Sequence, residues 1–97
     1  MTSTQQFYSL DMNEYRFRFC ADADQTQSPL YNKVGIELIV LKSNMTHPIY
    51  YSQSVAIEID GNTEIYAFSP NTGFRQIPIS NARAIWCELV RNGWTAP

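Results

Sequence analysis

Hydrophobic and polar residues alternate along most of the chain and change to a helical rhythm near its end. From Gln6 to Met12, Tyr8, Leu10 and Met12 stand against Phe7, Ser9 and Asp11, a period of two that predicts a β-strand. Asn13 breaks it. Glu14 to Cys20 carries the cleanest alternation, with Tyr15, Phe17 and Phe19 on one side and Glu14, Arg16, Arg18 and Cys20 on the other. A strand written this way has one dry and one wet face, the usual condition of an antiparallel sheet. Val34 to Leu41 becomes apolar on both faces toward its end and is expected to be a central strand. Ile49 to Ile59 alternates for eleven residues, long enough to predict a bulge near Gln53. Asp60-Gly61-Asn62 has hairpin-turn composition, and Thr63 to Phe68 is the returning strand. A second turn, Ser69 to Gly73, leads to a short extended piece from Phe74 to Ile77.

The rhythm then changes. Ala82, Ile85, Trp86, Leu89 and Val90 recur at the spacing of one helical face. Ser80 is the expected N-cap, Gly93 fits the left-handed position past the helix end, and Trp94 is expected to fold back on Leu89. No helical pattern separates successive strands, which excludes a parallel βαβ arrangement. The expected fold class is therefore α+β: a single antiparallel sheet of five to six strands with one C-terminal helix packed on one face. Trp86 is expected near the centre of that contact. Residues 1–97 form one domain, with 1–5 frayed and a long polar loop from Ala21 to Asn32.

Composition supports a packed core: 44% of the residues are hydrophobic, 16% are charged, and five Phe, six Tyr and two Trp supply ring area. A net charge of −2 and a pI near 5.2 give no electrostatic reason to approach nucleic acid or an anionic membrane. The longest apolar run, Leu38 to Leu41, is too short to span a bilayer. Cys20 and Cys87 match neither a zinc pattern nor a redox pair, and read as reduced, partly buried thiols of a cytoplasmic protein.

Candidate chemistry is sparse. Asp22-Ala23-Asp24-Gln25-Thr26 resembles the DxDx[TV] signature of haloacid-dehalogenase phosphohydrolases. That chemistry needs a buried parallel strand before the motif and further acids and a lysine to hold Mg²⁺ and substrate. The preceding strand is amphipathic and the chain is short for that fold, so an enzyme using Asp22 and Asp24 ranks third among the readings. A calcium loop over the same residues lacks the turn glycine and distal glutamate. His47, the one histidine, has no matched Cys or carboxylate in its turn. No catalytic, cofactor-binding or metal-ligating residue is assigned. Arg16 and Arg18 interleave with rings as in nucleic-acid-binding strands, but alternation puts rings and arginines on opposite faces. Phe7, Arg16, Arg18 and Tyr50 are expected on the sheet face away from the helix, and Tyr and Arg are enriched at protein-binding hot spots.

The ending from Ser80 to Trp94, with Ala82-Arg83, Trp86, Leu89-Val90 and Gly93-Trp94, resembles the C-terminal helix of small uncharacterised accessory proteins of tailed phages infecting cyanobacteria. It departs from their usual pattern at Asn81, where an acidic residue often begins the helix. The resemblance implies a phage accessory protein acting on a host complex in the host cytoplasm, and transfers no site residues. The functional expectation is a non-enzymatic protein-interaction module; the alternative is a small virion or decoration subunit. The expected partner is a protein, or a second copy in a homodimer.

Overall fold

The computed structural model describes residues 5–22, 33–42, 52–70 and 72–97. They form β1 (Gln5–Met12), β2 (Tyr15–Asp22), β3 (Lys33–Val40), β4 (Gln53–Ile59), β5 (Asn62–Phe68), β6 (Arg75–Pro78) and α1 (Ile79–Arg91). β1, β2, β3 and β6 lie in that order in one antiparallel sheet, and β4 and β5 form a separate antiparallel hairpin. The fold is α+β, with antiparallel sheets and a C-terminal helix.

The expected single sheet of five to six strands is thus two sheets. β6 pairs with Lys33 to Ile36 and occupies the edge of β3 to which the hairpin could have added. The hairpin instead turns Val55, Ile57, Tyr66 and Phe68 inward, lying on the sheet as part of a second layer shared with α1. An isolated parallel bridge between Leu38 and Pro70 joins the layers. Both tight turns follow from residues that tolerate positive φ. Asn13 adopts φ 53° between β1 and β2, while Asp60 and Gly61 adopt 52° and 80° between Ile59 and its partner Asn62.

β2 is the middle of the packing. Phe17 meets Phe68 of the hairpin edge-on at 5.2 Å and Trp94 at 4.8 Å, and Phe19 meets Trp86 at 5.0 Å. Leu10, Ile36, Leu38, Ile77, Ile85 and Leu89 complete the buried layer around them. The buried stripe of α1 is narrower than its spacing predicts, comprising Ala82, Ile85 and Leu89. Ile85, not Trp86, is wholly buried; Trp86 is half-buried, and Val90 is 48% exposed. The predicted N-cap is also displaced. Strand β6 runs directly into the helix, Pro78 takes the cap position, and the Ser80 hydroxyl donates to Asn81 Oδ1 at 3.3 Å instead of accepting from a first-turn N–H.

The helix end follows expectation. Gly93, at φ 101°, donates its N–H to Val90 O at 3.1 Å, and Trp94 donates to Leu89 O at 3.0 Å. These are the two bonds of a Schellman close. The turn delivers Trp94 onto Phe17, after which Thr95 exchanges backbone bonds with Asp11 of β1. At the other end of the helix, Asn81 Nδ2 donates to the Tyr66 hydroxyl at 2.5 Å, and that hydroxyl donates to Glu64 Oε2 at 2.6 Å. Burial first, then the bond to Glu64, raises the Tyr66 pKa above the ordinary phenol value.

Ala21 and Asp22, expected in a loop, continue β2; the rest of that segment lies outside the described residues. Residues 49–51 also lie outside them, and β4 begins at Gln53, where the bulge was expected. Among the described residues, no helix is long and apolar enough to cross a membrane. Because Gly93 holds a left-handed conformation that positions Trp94, Gly93→Ala is expected to lower unfolding free energy by about 1–2 kcal/mol. Urea denaturation of the two proteins measures this, and equal midpoints would contradict it.

Candidate interaction surface

Alternation along the strands sends a second set of residues to the face away from α1 and the hairpin. Register arranges them in rows. Phe7, Cys20, Gly35 and Gln76 form one, Ser9, Arg18 and Glu37 the next, and Asp11, Arg16 and Ile39 the third. The middle of this outer face is built around Arg18. Its guanidinium carbon is 4.9 Å from the centroid of Phe7 and 5.0 Å from that of Phe74, and the two ring centroids are 6.4 Å apart. Arg18 Nη2 forms an ion pair with Glu37, the residue opposite it on β3. Among the described residues, Arg18 Nε is buried without a hydrogen-bond partner.

Gly35 explains how Phe74 reaches this place from the segment before β6. A β-carbon at Gly35 would lie 3.0 Å from Phe74 Cβ and 3.1 Å from Cδ1, tighter than ordinary carbon contacts, so the ring would have to shift. The missing side chain opens the floor on which the Phe74 ring rests. Arg18 therefore rests over two adjacent rings, with a carboxylate at its end and 37% of its side chain still in water. Each ring contributes about 0.5–1 kcal/mol to holding the cation at such a half-exposed site.

Arg16 is engaged differently. Its Nε donates to Asp11 Oδ1 at 2.7 Å and its Nη2 to Oδ2 at 3.0 Å, a two-pronged pair. The hydrogen bonds from Arg16 outweigh desolvation and hold the Asp11 carboxyl below the ordinary carboxylate range, while Arg16 is raised. The pair braces β1 where Thr95 joins it.

Of the four residues expected on this face, Phe7 and Arg18 touch, Arg16 stands in the next row with Asp11, and Tyr50 lies outside the described residues. Phe74, Glu37 and Gly35 belong to the cluster and were not anticipated. A lone glycine inside an otherwise apolar strand was the available signal, since it marks a close approach of something to the backbone. Asp24 and His47 lie outside the described residues. Asp22 ends β2, antiparallel to both neighbours, which is not the parallel setting that the phosphohydrolase signature requires. Cys20 is half-buried on the outer face, and Cys87 is exposed on α1, not partly buried as expected. Among the described residues, no three His, Cys, Asp or Glu side chains gather where a metal ion could be held.

No protein-family model matches the chain, and neither a curated protein nor a solved structure matches it significantly.

Two measurements check this geometry. Gly35→Ala should displace Phe74 and lower stability by about 1–3 kcal/mol through overpacking, with loss of ring-induced shifts on the Arg18 side-chain protons; an unshifted Arg18 would contradict it. The Asp11 pKa is depressed in the folded state, so its contribution is present above the unfolded carboxylate value of about 3.9 and is lost as pH falls through the folded value. Titration of the Asp11 carboxyl by NMR should show that depression in the wild type, and a return toward the ordinary value in Arg16→Gln.

Proposed function

We propose that this protein is a small interaction module without a catalytic role, and that it docks a partner protein on the outer face of its four-stranded sheet. The observation that carries this reading is the Phe7–Arg18–Phe74 cluster. Phe7 is 50% exposed and Phe74 36%, yet both rings and the guanidinium over them are held in fixed relation by β1, β2 and the floor at Gly35. Arginine and aromatic rings dominate binding energy at protein interfaces, and groups already ordered before contact lose less entropy on binding. The mechanism is steric: the face covers part of its partner. The resemblance of the C-terminal helix to those of cyanobacterial phage accessory proteins points to a phage-encoded modulator of a host complex, acting in the host cytoplasm.

The test is retention of a defined host protein by the immobilised wild type and by surface variants from cyanobacterial lysate, followed by affinity measurement on the purified pair. Phe7→Ser and Phe74→Ser should each weaken binding at least about tenfold, some 1.4 kcal/mol. Ile65→Ser, on the exposed side of the hairpin, should leave it unchanged. Equal affinity of all four proteins, or no retained protein, would contradict the proposal.

A further inference from the structure

β1 ends the four-stranded sheet, and over half its length its outer edge pairs with none of the described residues. Asp11 exchanges both backbone bonds with Thr95, so the edge-facing residues of β1 are Asp11 and every second residue before it. Ser9, Phe7 and Gln5 therefore present N–H and C=O groups outward, and among the described residues these groups make no backbone bond. The segment Gln5-Gln6-Phe7-Tyr8-Ser9 has no charge, no proline and no bulge. It also exposes Phe7 on one face and Tyr8, at 53%, on the other. Native edge strands are ordinarily shielded by lysine, proline, bulges or brevity. The opposite edge of this sheet follows that rule: β6 has four residues, begins with Arg75 and ends with Pro78.

We propose that β1 pairs antiparallel with β1 of a second copy of this chain, about a two-fold axis at Phe7, forming a homodimer with a continuous sheet of eight strands. Outward-facing residues must meet outward-facing residues, so Phe7 lies opposite Phe7 of the second copy and Gln5 opposite Ser9. On the outer face the two Phe7 rings become neighbours and join the two Phe7–Arg18–Phe74 clusters across the axis. On the inner face Tyr8 lies opposite Gln6 of the second copy. This is the same pair of side chains that bonds within one chain, where the Tyr8 hydroxyl donates to Gln6 Oε1 at 2.7 Å.

An apolar groove of about 410 Å³ lies between this end of the sheet and α1, with Tyr8, Phe19, Ala82 and Trp86 among its walls. β1 is its outermost strand, and an added strand would extend that wall. A foreign strand chosen by charge would find nothing along Gln5 to Ser9 to recognise. Two copies match ring to ring and amide to hydroxyl without opposing like charges. The protected β6 edge makes the pairing close at two.

This inference does not depend on the proposed docking of a partner protein. Sedimentation equilibrium of the full chain over a wide dilution series tests it, with Phe7→Lys and Ser9→Pro as variants. Lysine places like charges across the axis, and proline removes an outward N–H that the folded sheet does not use. The wild type is expected to reach twice the chain mass of 11.1 kDa and to dissociate on dilution. Both variants, with unchanged circular dichroism, should self-associate at least about tenfold more weakly, while Ile65→Lys should behave as wild type. A monomer at every concentration, a dimer unaffected by both variants, or a mass that climbs past two copies would overturn it. A monomer that still binds a host protein through Phe7 and Phe74 would overturn the dimer alone.

Discussion

Phe17 is wholly enclosed, with Phe68 of the hairpin at 5.2 Å and Trp94 beyond the helix at 4.8 Å. Successive side chains of a strand point to opposite faces, so holding Phe17 inward forces Arg16 and Arg18 outward. The two properties cannot be separated: a slip of one residue in β2 would bury two arginines and expose the rings that join the layers. The hairpin, the helix end and the outer face all take their positions from this one strand. The Schellman turn at Gly93 matters for the same reason, since it delivers the ring that closes over Phe17.

The two faces are held by different physics. Inside, large rings can each remove about 150–250 Å² from water, and their edge-on contacts fix the angle at which hairpin and helix lie on the sheet. Outside, the ion pairs of Arg16 and Arg18 are partly solvated and contribute little individually to stability. They contribute order. Arg18 is fixed by the two rings it rests on as much as by Glu37, so its position survives salt better than a bare surface ion pair would. A cation and two rings already arranged before contact form the kind of surface that a partner can meet with small entropic loss.

The strands were legible wherever one face is wet, because period-two alternation in β1, β2 and β4 is a local property of the sequence. The helix end was equally legible, since Gly93 and Trp94 carry its geometry within two residues. The division into two sheets was not. Whether the β4–β5 hairpin adds to an edge or lies on a face depends on which edge is free, and β6, distant in sequence, had taken that of β3. Trp86 lost its expected central place, and Val90 its place on the buried face, because the helix buries a narrow stripe at Ile85. The site was half legible: alternation put Phe7 and Arg18 on one face, but Phe74 joins them only through register with β3, announced in the sequence by nothing more than Gly35.

β2 sorts rings to one face and arginines to the other, and everything else in the fold depends on that sorting. Proton–proton contacts measured by NMR on the labelled protein read that arrangement directly. Phe17 ring protons should show contacts to Phe68 and Trp94, and Arg18 side-chain protons should show contacts to Phe7 and Phe74 and none to Trp86 or Trp94. Arg18 contacts to either tryptophan, or a Phe17 ring exchanging freely with solvent-facing positions, would contradict it.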